Sequence, residues 1–234
     1  MIAELLLAIA MLPVAQGSPM HVATTPISRE GEQWWLDRHK RAVEAASKSN
    51  IELMFIGDSI TQGWEGEGAA VWEKYYGNRK AANFGFSGDR TEHVLWRLDN
   101  GEMPALSPKV VVIMIGTNNV GHGSSTPEQT ADGVRAIVSR LVLAMPSSKI
   151  LLLGIFPRGE APDDSGRRQA RQATLQFAGL ADRKRVFFLD VGEAFVHTDG
   201  RLRTSLMPDR LHLNSSGYEL WARAMEPMLA KLLR

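Results

Sequence analysis

The chain has 234 residues, 44% of them apolar and 23% charged, with 27 basic against 26 acidic side chains and no cysteine. That length suits one domain with a substantial core. A net charge of +1 without runs of like sign points away from nucleic acid as a partner. The missing thiol excludes disulfides, thiolate catalysis and cysteine-held zinc or iron–sulfur clusters.

Residues 2–14 are almost wholly apolar, broken only by Glu4 and Pro13, and Ala15-Gln16-Gly17-Ser18 follow. This stretch is too short to span a bilayer, which takes about 20 residues. It has the form of a secretory leader, so residues 1–17 are expected to be a signal peptide and the protein to be exported from a bacterium, periplasmic or secreted. If the stretch is no signal, the protein is cytoplasmic. No other segment is long enough to cross a membrane, so no stable membrane insertion is expected. Residues 18–31, rich in Ser, Pro, Thr and Gly, have the composition of a linker, and 32–234 form a single domain.

Within it, Trp35, Leu36, His39, Val43 and Ala46 recur at helical spacing over 32–47. Residues 51–56 are a short apolar run, a buried-strand signal. A helix over 69–76, a weaker strand over 81–84 and a helix over 91–98 come next. Lys109–Ile115 (KVVVIMI) is the strongest strand pattern. Thr126 as cap and Pro127 at the first position open a helix to Ala144. A strand over 149–155, a helix ending near Ala181, a strand over 185–191 and a helix over 215–233 complete the chain. The basic triplet Arg183-Lys184-Arg185 suits a solvated helix end. Apolar strands alternating with helices mean a parallel sheet covered on both faces, here a three-layer α/β/α sandwich of five strands. Such sheets gather functional groups at the carboxyl ends of their strands.

Four strand-end motifs stand there: Gly57-Asp58-Ser59-Ile60, Gly85-Phe86-Ser87-Gly88-Asp89, Gly116-Thr117-Asn118-Asn119 and, before the last helix, Asp209-Arg210-Leu211-His212. Singly, each is as well explained by a turn or a cap. Together, in this order, they are the parts of acyl transfer: a nucleophile, a base with its orienting carboxylate, and donors for an oxyanion. A serine hydroxyl needs a base to take its proton, and His212 is the candidate for Ser59. Asp209, three residues earlier, can reach the other ring nitrogen and set the tautomer. The Ser59 N–H, the Gly88 N–H and the Asn118 amide are candidate oxyanion donors. Trp64, in the loop after Ser59, and His122, after the Asn118 loop, are candidate substrate contacts. The other tryptophans fall in helical patterns and suit the core. His39 and His93 suit surface or packing positions. Loops 62–68 and 157–165 are placed to shape a pocket. There is no HExxH, so a metal enzyme is not expected, and there is no P-loop, GxGxxG or GxSxG.

The four blocks resemble those of the SGNH (GDSL-type) hydrolases, with Ile60 where leucine is typical. Residues 89–98 (DRTEHVLWRL), 157–160 (PRGE) and 195–200 (FVHTDG) further resemble the catalytic subunits of the intracellular platelet-activating-factor acetylhydrolases. The likeness runs from about Trp34 to the C-terminus. It implies a flavodoxin-like sheet, Ser59, Asp209 and His212 as the catalytic residues, Ser59, Gly88 and Asn118 as the oxyanion hole, no cofactor, a homodimer, and preference for a short acyl group such as acetyl. The expected function is a serine esterase for short-chain acyl esters on a small molecule or a glycan. The alternatives are a lysophospholipase or thioesterase for longer chains, and a non-catalytic carbohydrate- or partner-binding protein.

Overall fold

A computed structural model describes residues 20–48, 50–103 and 107–234. The chain runs α1 (Gln33–Lys48), β1 (Leu53–Gly57), α2 (Ser59–Gln62), α3 (Ala69–Tyr76), β2 (Ala81–Gly85), α4 (Thr91–Arg97), β3 (Val110–Met114), α5 (Thr117–Gly121), α6 (Pro127–Ala144), β4 (Lys149–Leu153), α7 (Ser165–Phe177), β5 (Val186–Leu189) and α8 (Ser215–Leu233). The five strands form one parallel sheet in the order β2-β1-β3-β4-β5. β1 and β3 are buried at every position, as their unbroken apolar runs require of strands covered on both faces.

One core layer joins the sheet to α1, α4, α6 and α7 through side chains such as Val94, Leu95, Val134, Ile137, Leu141 and Phe177. The other joins it to α3 and α8 through Trp64, Tyr76, Tyr218, Trp221 and Met225. Local chemistry fixes where the helices begin. Thr126 Oγ1 accepts from the Gln129 N–H at 3.2 Å while Gln129 Oε1 accepts from the Thr126 N–H at 3.0 Å, a reciprocal cap ahead of Pro127. In the sheet order, β2 and β3 lie on opposite sides of β1, so the connections from β1 and β3 diverge there. That divergence opens a crevice at the strands' carboxyl ends.

Two sequence expectations need correction. Residues 20–31 are no linker but part of the domain. Ala23 is fully buried, its carbonyl accepts from Thr91 Oγ1 at 2.9 Å, and the Ile27 N–H donates to the Glu92 carbonyl at 3.1 Å. Room for this strap comes from Gly133 of α6, where a Cβ would stand 2.5 Å from the Ala23 carbonyl oxygen. Polar, turn-rich composition reports low intrinsic order, and here tertiary contacts override it. The triplet 183–185 likewise ends no helix. It forms the turn into β5, and Arg185 donates to the Val142 carbonyl in the last turn of α6 and to the Met145 and Ser148 carbonyls beyond it. The expected signal peptide lies outside the described residues, among which no helix is long and apolar enough to cross a membrane.

Candidate active site

The β1 strand ends at Gly57, and Asp58 turns the chain into α2 by accepting from the Ile60 N–H at 3.0 Å. Ser59 is therefore the first residue of a helix, where the backbone N–H has no partner within the helix. The turn is tight. At Gly85, the end of the neighbouring strand, a Cβ would lie 2.3 Å from the Gln62 nitrogen, so any side chain would push α2 away. Gly88, at φ +76°, supplies the left-handed step that brings the β2 loop back over the strand ends.

Ser59 Oγ lies 2.9 Å from His212 Nε2, and His212 Nδ1 lies 2.7 Å from Asp209 Oδ2. Asp209 is itself anchored, because its Oδ1 accepts from the Leu211 and His212 N–H groups at 3.0 and 2.7 Å. Burial opposes its charge, but those hydrogen bonds and the His212 ring outweigh it and hold the carboxyl below its ordinary range. An ionised carboxylate only accepts, so the Nδ1 proton faces Asp209 and Nε2 is left to accept from the serine hydroxyl. Asn118, on the first turn of α5, donates from Nδ2 to the Asp89 carbonyl at 2.9 Å. Asp89 follows Gly88 directly, so this bond ties Asn118 to the Gly88 loop. Ser59, His212 and Asp209 so arranged can move a proton from a hydroxyl to a ring.

A profile of the GDSL-like lipase/acylhydrolase family matches residues 55–220, which takes in all four strand-end motifs. The chain belongs to that family. It is a carboxylic ester hydrolase, 39% identical over 210 residues to the alpha1 subunit of platelet-activating factor acetylhydrolase IB of Bos taurus, covering 89% of this chain and 88% of that one. It is 36% identical over 204 residues to the alpha2 subunit of Rattus norvegicus, with 87% of each chain covered. Its fold is similar to a GDSL-like lipase from Bacteroides thetaiotaomicron, with a TM-score of 0.68 at 20% identity over 82% of this chain and 97% of that one. An acetylxylan esterase from Geobacillus stearothermophilus gives 0.61 at 22% over 79% and 94%.

Of the two expected substrate contacts in this GDSL-like hydrolase, Trp64 is a core residue. It is 1% exposed, and its ring packs against Tyr218, Trp221, Tyr76 and Trp72 with centroids 4.6–5.9 Å apart. The short turn after α2 folds inward under α8, so a residue five positions beyond the serine ends below the site. His122 is exposed at the end of α5 and donates its backbone N–H to the Asn118 carbonyl. A cavity of about 320 Å³ opens beside the ends of β4 and β5, lined by residues that include Pro157, Arg167, Arg171, Thr174, Asp190 and Glu193. Loop 157–165 contributes Pro157 and Pro162 to it, but Ser59, Gly88, Asn118, Asp209 and His212 do not line it. Among the described residues no three His, Asp or Glu side chains gather as metal ligands.

Supporting residues stand behind the strand-end motifs. Asp89, Arg97 and Glu102 are fully buried behind the Gly88 loop. Arg97 Nε donates to Asp89 Oδ2 at 2.8 Å, its other arm pairs with Glu102, and its guanidinium lies over the Phe86 ring. The Trp35 indole N–H donates to Asp89 at 2.7 Å. Asp89 closes the second strand-end motif, but nothing in the sequence marks Arg97 and Glu102 as its partners.

Asp58 is buried beside Ser59, and burial, reinforced by the charge of Asp89, pushes its carboxyl up to about 7. A carboxyl raised on folding favours the native state at low pH. That contribution is present below about pH 4, the unfolded value, and is lost as pH rises toward 7. Asp58→Asn keeps the acceptor for Ile60 without the charge. Its melting temperature relative to the parent is therefore expected to climb between pH 4 and 7 and level off above, at about 2–4 °C per kcal/mol for a domain of this size. Thermal melts across that range check it, and a difference independent of pH would contradict it.

Proposed function

We propose that the chain is a serine esterase for short acyl esters, acetyl above all. Ser59 is the nucleophile, His212 the general base and then acid, and Asp209 the group that orients the ring. In acylation Ser59 Oγ attacks the ester carbonyl carbon, and its proton passes to His212 Nε2. The negative charge on the carbonyl oxygen is met by the Ser59 and Gly88 N–H groups and the Asn118 amide. Collapse of the tetrahedral intermediate breaks the bond to the leaving alcohol, which takes the proton from His212. Water, deprotonated by His212 in turn, then releases the acid from the acyl-serine.

The observation that carries this reading is the hydrogen-bonded chain Ser59–His212–Asp209, at 2.9 and 2.7 Å, standing at the mouth of the crevice. The imidazole side chain is 44% exposed, so an ester can approach from solvent. The preference for acetyl draws support from the relatives, acetylhydrolase subunits by name, and from the fold shared with an acetylxylan esterase. His122 is proposed as a substrate contact at the rim.

Initial rates on p-nitrophenyl esters from acetate to palmitate test the reading, with Ser59→Ala as control. Acetate or butyrate is expected to give the highest kcat/KM, and the variant to be inactive on every ester. A maximum at long chains would transfer the protein to the lipid-directed alternative. Equal rates for parent and variant would remove Ser59 from the chemistry.

A further inference from the structure

The N-terminal strap, whose composition resembles a linker, delivers one side chain to the Gly88 loop. Arg29 Nη1 donates to the Ser87 carbonyl at 2.6 Å and to Asp89 Oδ1 at 3.1 Å. The rest of its guanidinium is locked by a bidentate pair with Glu32, at 2.9 and 2.6 Å, and lies against the Trp34 ring. It stands 3.3 Å from where a Cβ on Gly88 would be. Nothing in the strand-end motifs points to it, because it lies 30 residues before Ser59 in the chain.

The Ser87 carbonyl and the Gly88 N–H belong to one planar peptide unit. In a trans peptide, the geometry of every described bond here, they point in opposite directions. A group that fixes the carbonyl therefore fixes the direction of the N–H. A cation on the oxygen also draws electron density through the amide and makes the N–H a stronger donor, the ordinary cooperativity of chained hydrogen bonds. The other end of Ser87 is held as well, since its N–H donates to Gln62 Oε1 at 2.7 Å. Gln62 belongs to the same short helix that Ser59 begins.

We propose that Arg29 is a positioning residue of the esterase, one that aims and polarises the Gly88 N–H toward the oxyanion through the Ser87–Gly88 peptide. The proposal rests on the reading of Gly88 as an oxyanion donor. Arg29 touches neither the ester nor the nucleophile. Its effect falls on the transition state, where the carbonyl oxygen carries charge, and hardly on the neutral bound ester.

The test compares Arg29→Met, Arg29→Lys, Glu32→Gln and Asn118→Ala on p-nitrophenyl acetate, with rates per active site counted by fluorophosphonate titration. Counting sites separates positioning from a mere loss of folded protein. Arg29→Met is expected to lower kcat about tenfold with KM within about twofold of the parent, a fraction of the 10²–10³ lost with a whole donor. Phenylboronic acid, which forms a tetrahedral anion on a serine, is expected to bind more weakly by the same factor. Arg29→Lys keeps the cation and is expected to recover most of kcat. Glu32, whose side chain is 43% exposed, can change without threatening the fold, and Glu32→Gln loosens the guanidinium for a loss of about threefold. Unchanged kcat and boronate affinity in Arg29→Met and Glu32→Gln, beside a 10²-fold or greater loss in Asn118→Ala, would overturn the proposal while leaving the oxyanion reading intact. Parent-like kcat in both Asn118→Ala and Arg29→Met would instead overturn the oxyanion reading and the proposal with it.

Discussion

Ser59→Ala is expected to lower kcat on p-nitrophenyl acetate by about 10⁶-fold, and adding His212→Ala to lower it hardly further. In the proposed mechanism the two groups act as one unit. Without the hydroxyl the imidazole has no proton to take, and without the imidazole the hydroxyl stays a weak nucleophile. Multiplied losses would mean that the 2.9 Å contact between them is not used in the reaction. Asp209→Asn is expected to cost less, at most about 10⁴-fold. Its side chain is 56% exposed, and water can replace part of the charge that steadies the imidazolium. Steady-state kinetics on the parent, the three single variants and the double variant, with circular dichroism to establish folding, decide these points. A loss below about tenfold for His212→Ala would place the general base elsewhere, since acid–base groups contribute at least 10².

Arg97→Met is expected to lower stability by about 3–5 kcal/mol, the cost of leaving a buried charge without its partner. Here two carboxylates lose the same cation, and both Asp89 and Glu102 are fully buried. For a domain of this size the melting temperature would fall by roughly 6–20 °C. The loss should shrink in acid. Burial already pushes the Asp89 carboxyl up against the pull of Arg97, and removing that pull raises it further. A carboxyl raised on folding favours the native state at low pH and disfavours it as pH rises, so the deficit is smallest where Asp89 is protonated. Urea unfolding of both proteins from pH 5 to 8 measures this. A loss under 1 kcal/mol across the range would show that the cluster is solvated in solution. Arg97→Met is also expected to lower activity, because Asp89 carries the carbonyl that holds Asn118.

The amino-acid sequence alone determined the sheet class, the near-complete element order and the residues that meet at its open end. Period-3.6 patterns, the Thr126-Pro127 start and the apolar run of β3 are local signals, and local physics places α3, α6 and α8 where the patterns put them. Ser59 and Asn118 were legible as candidates because a parallel sheet delivers the carboxyl ends of its strands to one edge, and His212 because Asp209 stands three residues before it. What lies around those residues depended on contacts between segments distant in the chain. Trp64 follows Ser59 in sequence but goes under α8, because the aromatic space between α3 and α8 had to be filled. Residues 20–31 look like a linker by composition, yet Gly133 leaves a groove that fits them and they carry Arg29 to the Gly88 loop. Asp89, Arg97 and Glu102 pair across α4 and the loop beyond it, and no periodicity distinguishes a buried ion pair from charges facing water. Periodicity reports how each residue relates to its own helix or strand. Burial of charge, and the aim of a peptide N–H, are set by what another segment brings against it, and only the tertiary structure decides that.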